Sequence, residues 1–203
     1  MNYGTIHLKP ENSYTIETSV NFRTDYFGFD LSLYSIWIND QILSIPLSPV
    51  QWSARNIGKT VSRGIECSLT HTMKEFNLFY KLQYAYKDAS DLSEESYTKG
   101  KQLPYVPAHS GSLFLHWNHD NLALSAIMQY VGKRYSLQEN TPSSVLDPVF
   151  LLTGFIEHTI ALHSLKTALR FEIRNMLNTQ YSYIINFPLP GRSYYCTMSF
   201  DFP

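Results

Sequence analysis

The chain closes on PGRSYYCTMSFDFP, residues 190–203, and within it Tyr194, Cys196, Met198, Phe200 and Phe202 place an apolar or aromatic side chain at every second position. Ser193, Thr197, Ser199 and Asp201 occupy the other parity. In an extended strand successive side chains point to opposite faces, so this stretch predicts a strand with one apolar and one polar face. A terminus of a soluble domain usually ends in polar, loosely held residues instead.

The same period runs through the interior. In SYTIETSVNFR, residues 13–23, Tyr14, Ile16, Val20 and Phe22 share one parity, and Ser13, Thr15, Glu17, Ser19, Asn21 and Arg23 the other. Further strands are expected at 27–39, 61–72, 76–89, 108–118, 121–135, 149–163, 165–175 and 192–202, nine in all. No helical period competes over a comparable length.

Between the strands, short connections at 24–26, 73–75, 118–120 and near Ser164 alternate with long ones at about 40–60, 90–107, 136–148 and 176–191. The long connections are rich in Pro, Ser, Asn and Gly. Up-and-down membrane barrels sort their loops in this way, tight on one side and long on the other. Charges agree with that pattern: Glu17, Asp30, Glu66, Lys81, Glu157, Lys166, Arg170, Glu172, Arg174 and Asp201 all oppose the apolar parity. A lipid-facing Arg or Lys at mid-bilayer costs roughly 2–4 kcal/mol, so a barrel keeps that face free of them. A soluble sheet with one solvated face also alternates.

Aromatic placement separates the two readings. Phe22, Phe27, Phe76, Trp117 and Phe202 lie beside short connections, and Tyr14, Trp37, Tyr86, Tyr130, Phe150 and Tyr194 beside long ones. Two such girdles mark the two interfaces of a membrane. The fold class expected is therefore all-β, an antiparallel up-and-down transmembrane β-barrel fragment of about nine strands, with residues 1–203 as one unit.

Composition excludes several functions. With 16 basic and 17 acidic residues in 203, the chain has no electrostatic footprint for nucleic acid. Cys67 and Cys196 have no metal-ligand spacing, the seven histidines are scattered, and neither a phosphate-binding loop nor a nucleophile–base set is visible. No cofactor, no metal and no enzymatic activity are expected. There is no apolar run long enough for a membrane helix, and no leader is seen in MNYGTIHLKPENSYT. Nine is an odd count where single-chain bacterial barrels have even ones, so the chain is expected to be the C-terminal piece of a longer barrel or a subunit needing a partner.

A set of short motifs carries a family resemblance. They are Leu8-Lys9-Pro10-Glu11, Asn56-Ile57-Gly58 leading to Arg63-Gly64-Ile65-Glu66, Leu103-Pro104-Tyr105-Val106-Pro107-Ala108-His109, Arg174-Asn175-Met176-Leu177-Asn178 with Tyr181, and Pro190-Gly191-Arg192. In this order, across nearly the whole chain, they resemble the C-terminal part of a TonB-dependent outer-membrane receptor. The resemblance implies a 22-stranded plugged barrel in the outer membrane of a Gram-negative bacterium, taking up an iron chelate, cobalamin or another scarce nutrient. It also implies outer-membrane lipid as surroundings, TonB engaged only through a plug that this chain lacks, and the barrel-assembly machinery reading the last strand. Phe202 is followed here by Pro203, whereas the family usually ends on the aromatic residue. An outer-membrane adhesin or enzyme barrel, or a soluble β-rich binding module, are the alternatives.

The resemblance assigns Pro10, Glu11, Gly64, Glu66, Pro107, Asn175, Pro190, Gly191, Arg192 and Phe202 to motif positions with structural roles. Gly64 lies just below a long loop, where a missing side chain eases bending or close approach. Pro190-Gly191 is turn chemistry, and Pro104 and Pro107 stop a strand ladder from extending. Ligand contacts are expected on the long loops, at Trp52, Arg55, Tyr97, Tyr105 and Tyr183, because aromatic and Arg side chains dominate binding energy at interfaces.

Overall fold

The structure, a computed structural model, describes residues 2–3, 7–48, 51–94, 97–162 and 165–201. Nine long strands carry it: β1 (Asn12–Arg23), β2 (Phe27–Asn39), β3 (Thr60–Met73), β4 (Leu78–Asp91), β5 (His109–His119), β6 (Leu122–Val131), β7 (Val149–Leu162), β8 (Leu165–Arg174) and β9 (Ser193–Asp201). They form one sheet in which each strand pairs antiparallel with its neighbours in sequence, from β1 to β9. Among the described residues, no helix is long and apolar enough to cross a membrane.

Register turns the single-strand alternation into two continuous faces. Phe22, Phe29, Leu69, Leu82, Leu113, Met128 and Leu152 form one unbroken cross-strand row over seven strands. The adjacent row is Asn21, Asp30, Ser68, Gln83, Ser112 and Gln129, ending on Leu151. Because the side-chain period is two, a one-residue slip in any pair would exchange these faces. Large apolar side chains stay exposed on the first face, among them Tyr14 at 63%, Met198 at 57% and Phe200 at 54%. A contiguous exposed apolar surface of this extent marks a protein or membrane interface.

All ten charges named above share the polar face through this register, for example Glu66 across from Ser32 and Lys166 across from Asp201. Arg170, Glu172 and Arg174 form an ion-pair chain there, at 3.3 and 2.6 Å, while Arg170 stacks on Phe155 and Arg174 on Tyr195. Glu157 lies opposite Arg170 in register, with no ion pair recorded among the described residues. Two further charges depart from the rule: Arg63 and Asp88 are cross-strand partners on the apolar face. They sit near the loop end, next to the row of Trp37 and Val61, where the apolar band gives way.

Short and long connections sort to opposite ends as expected. The strand expected at 76–89 begins later, because Lys74–Phe76 form a 3₁₀ turn closed by Asn77 at φ 52°, so Phe76 sits on the turn and not on a strand. The strand expected at 121–135 ends at Val131; Arg134–Tyr135 instead pair with Val145–Leu146 inside a long loop. The 40–60 connection contains an antiparallel hairpin, Ile42–Ser48 with Gln51–Asn56. Arg134–Tyr135 and Val145–Leu146 are too short to show a period, and Ile42–Ser48 (ILSIPLS) does not alternate.

Gly64 pairs with Tyr34, and a Cβ built on it would meet the Tyr34 ring, with Cζ at 2.5 Å and Cε1 at 2.8 Å. The ring thus fills the place of the absent side chain on the polar face, beneath the Lys87 Nζ, 5.9 Å from its centroid. Gly64→Ala is expected to displace that ring at a cost of about 1 kcal/mol, the low end of overpacking because the ring can swing aside. Unfolding in denaturant checks it: the cost should vanish in a Tyr34→Ala background, and an equal cost in both backgrounds contradicts the contact.

Candidate functional site

The long loops leave the sheet through hydrogen-bonded junctions built from the motif residues. Lys9 and Asn56 exchange two hydrogen bonds: the Lys9 N–H donates to Asn56 Oδ1 at 2.9 Å, and Asn56 Nδ2 donates to the Lys9 carbonyl at 3.0 Å. Asn56 Nδ2 also reaches the Asp40 carbonyl, and Glu11 accepts from the Ile42 N–H. The segment that precedes β1 is thereby tied to the base of the 42–56 hairpin, while Pro10 between the two contacts is exposed.

A second junction organises the loop between β8 and β9. Asn175 is 5% exposed and left-handed, at φ 48°. Its side chain donates to the carbonyls of Thr179 (2.9 Å) and Pro190 (3.4 Å) and accepts from the Thr179 N–H (2.9 Å). Asn and Asp tolerate this conformation better than other side chains. Asn178 Oδ1 accepts from the Arg192 N–H at 3.0 Å, and a Cβ at Gly191 would come within 2.7 Å of that same oxygen. Pro190, Gly191 and Arg192 therefore meet Asn175 and Asn178 at one place, and the missing side chain of Gly191 leaves room for the Asn178 amide. The Arg192 side chain forms no ion pair among the described residues.

Between these junctions the loops hold one another. Asp91, 2% exposed, accepts from the Ser93 N–H at 2.8 Å and from Thr98 Oγ1 at 2.5 Å, which folds the start of the 92–108 loop. Asn140 and Gln102 exchange side-chain-to-backbone hydrogen bonds at 2.7 and 2.9 Å, joining that loop to 132–148. Tyr97, 78% exposed, donates to Glu139 across the same gap at 3.0 Å, and the Glu139 carboxylate pushes the Tyr97 phenol above its ordinary range.

Arg134 lies where three loops converge and is 1% exposed. Its guanidinium donates to the Ser182 carbonyl at 2.7 Å and stands 5.6 Å from the Tyr183 ring centroid. The Tyr105 N–H donates to the Tyr135 carbonyl at 2.7 Å, with Tyr105 at φ 62°. Burial lowers the Arg134 pKa and raises that of Tyr105, since both ionised forms lose water there. Tyr183 also reaches down to the polar face of the sheet. There it is the loop residue lining a cavity of about 450 Å³ whose walls include Asp30, Glu66, Gln83, Ser112 and Gln129.

Of the five expected contact residues, Tyr97, Tyr105 and Tyr183 lie in these interlocked loops. Arg55, exposed and opposite Leu43, and Trp52, opposite Pro46, belong to the separate 42–56 hairpin, and the Trp52 side chain lies outside the described residues. Glu66 lines the cavity and Gly64 carries the Tyr34 ring. Pro107 follows Val106, whose carbonyl accepts from the Gln102 side chain. Phe202 lies outside the described residues. Sequence reasoning passed over Arg134, Asp91 and Asn140, which lie in long loops or at the edge of one and give no pattern to read. Among the described residues no group of three or more His, Cys, Asp or Glu could hold a metal ion. The arrangement presents aromatic and hydrogen-bonding groups on tied loops.

Asn175→Ala removes three hydrogen bonds from a buried site and is expected to destabilise the 175–192 loop by about 1–3 kcal/mol. Faster amide exchange at Thr179 in a variant that still assembles is the expected readout; unchanged exchange contradicts the assignment.

Comparison with known proteins places this architecture. The family model for the TonB dependent receptor-like β-barrel matches residues 1–176. An uncharacterized TonB-dependent receptor of Haemophilus influenzae is 25% identical over 183 residues, covering 86% of this chain and 52% of that protein. The vitamin B12 transporter BtuB of Vibrio cholerae is 25% identical over 208 residues, 98% of this chain and 31% of its own. The chain thus spans about half of the first relative and about a third of the second. Among solved structures, BauA, the ferric preacinetobactin receptor of Acinetobacter baumannii, superposes at a TM-score of 0.78 with 21% identity, over 94% of this chain and 29% of its own. The unliganded ferric citrate transporter FecA gives 0.78 with 19% identity, over 93% and 31%. The chain belongs to the TonB-dependent receptor-like β-barrel family.

Proposed function

We propose that the chain forms nine strands of a 22-stranded barrel in the outer membrane of a Gram-negative bacterium, within a receptor that takes up a scarce nutrient such as an iron chelate or cobalamin. The observation that carries this reading is the continuous apolar face, held in register from β1 to β9 and ending near rims of aromatic residues, beneath loops sorted to one end. The family match and the relatives named for vitamin B12, ferric citrate and ferric preacinetobactin support the nutrient class. The free edges of β1 and β9 fit pairing with further strands of such a barrel.

In this reading the ligand meets the long loops from outside the cell, and TonB acts through a plug supplied elsewhere in the receptor. Outer-membrane lipid covers the apolar face, and the barrel-assembly machinery engages β9. No step of the function calls for catalysis; the chain's residues bind, position and line a path.

Uptake in a host stripped of its own siderophore and cobalamin receptors tests the proposal. A receptor carrying this chain should restore growth on cyanocobalamin or on a ferric chelate when TonB is present, and not when it is deleted. Growth independent of TonB, or recovery of the assembled protein without detergent, contradicts it. Alanine at Trp52, Arg55, Tyr97, Tyr105 and Tyr183, one at a time, should lower affinity for the restoring ligand several-fold at one or more positions, since truncating a minority of interface residues costs more than about 1 kcal/mol. Unchanged affinity at all five removes the loops from recognition.

A further inference from the structure

The 175–192 loop is tied down at both ends by Asn175 and Asn178, but these bonds do not fix where its middle goes. Its middle pairs on itself, Ser182–Ile184 with Phe187–Pro188, Thr179 Oγ1 donates to the Phe150 carbonyl at 3.1 Å, and a charged side chain reaches it from another loop. Arg134, from the neighbouring loop, donates to the carbonyl of Ser182 at 2.7 Å, one residue before Tyr183. Its guanidinium faces the Tyr183 ring at 5.6 Å. Arg134 is 1% exposed and, among the described residues, has no carboxylate partner. A cation removed from water without a counter-charge costs free energy; the Gly132 carbonyl at 3.5 Å, in its own loop, offsets part of that cost, and the Ser182 carbonyl and Tyr183 ring add to this only while the 175–192 loop stays in place. Its planar shape makes the contact specific: a guanidinium can donate to a carbonyl and face a ring at once, which an ammonium does less well.

The consequence is felt on the polar face. Tyr183 lines the 450 Å³ cavity together with Glu66, Ser110, Ser112 and Gln129, all from the sheet below. We infer that Arg134 is a positioning residue that holds the 175–192 loop against its neighbour, so that Tyr183 stands over the polar cavity as a cap. This clasp rests on the proposed receptor reading only for which compartment the loop faces. A ligand entering the cavity from the loop end has to displace Tyr183 or pack against it, and either event acts on the Arg134–Ser182 hydrogen bond. Holding the cap in place removes an ordering cost that would otherwise fall on binding.

Thiol labelling without ligand tests the clasp. Cys67 and Cys196 are replaced by Ser, Ser110→Cys is introduced on the cavity wall, and the assembled protein is labelled with fluorescein maleimide, a bulky water-soluble probe. Arg134→Gln should raise the labelling rate at position 110 about tenfold, and Tyr183→Ala by a similar factor. The double variant should label no faster than the quicker single one, because the two residues form one cap. Arg134→Lys, which keeps a donor and the charge, should recover part of the protection. Assembly is scored in parallel by resistance to unfolding in cold detergent, and rates are read on the assembled fraction. A wild-type rate in assembled Arg134→Gln overturns the inference. So does an equal rise at Thr197→Cys, on the polar face of β9 away from the cavity, because that pattern marks general loosening. If neither Gln nor Lys variant assembles, Arg134 is a folding determinant and the clasp is rejected. Labelling of detergent-extracted protein should rank the variants in the same order, so a failure of TonB-dependent uptake and a failure of the clasp are read separately.

Discussion

The structure depends on one constraint: the antiparallel ladder must keep a single register across all nine strands. A strand that faces hydrocarbon has no water to satisfy its backbone N–H and C=O groups, so each must be paired within the sheet. The same ladder fixes which side chains share a face, and because the period is two, one slipped pair would carry charges such as Glu66 or Arg170 into the apolar face. Pairing from Asn12–Asn39 at one edge to Lys166–Asp201 at the other keeps both faces intact. Strand length, loop sorting and aromatic placement follow from it.

At the loop end a different economy applies. There the backbone leaves the ladder, and its polar groups are met by a few short side chains: Asn56, Asp91, Asn140, Asn175 and Asn178. Several of them or their neighbours sit at positive φ, where the chain turns too sharply for most residues. These junctions leave aromatic side chains free to face outward or over the cavity. Tyr97 bridges two loops at the surface, whereas Tyr105 and Tyr183 close around the buried Arg134.

Legibility of the sequence divides along the same line. Every long strand was readable because alternation over nine to fourteen residues is a strong signal, and the boundaries move mainly where a turn intrudes, as at Lys74–Phe76. The motif residues pointed to the junctions, since a Gly or Pro at a turn declares its backbone need locally. What could not be read is contact between loops. Arg134 was absorbed into the end of an expected strand, and nothing near it in sequence shows that it meets Ser182, 48 residues away. The pairing of the motif residue Arg63 with Asp88 also escaped notice, because a cross-strand pair of opposite charges near the end of an apolar face becomes visible only once register is known.

The central claim is that the apolar face meets lipid and the polar face water. It is tested most directly on β9, where Met198 pairs with Leu169 on the apolar face and Thr197 pairs with Arg170 on the polar one. Single cysteines at 198 and 197, with Cys67 and Cys196 replaced, are labelled in the membrane-assembled receptor by a lipid-confined probe and by a water-soluble one. The account predicts lipid-probe labelling at 198 and water-probe labelling at 197. Water-soluble labelling at position 198 in assembled protein, or no difference between the two positions, would contradict it.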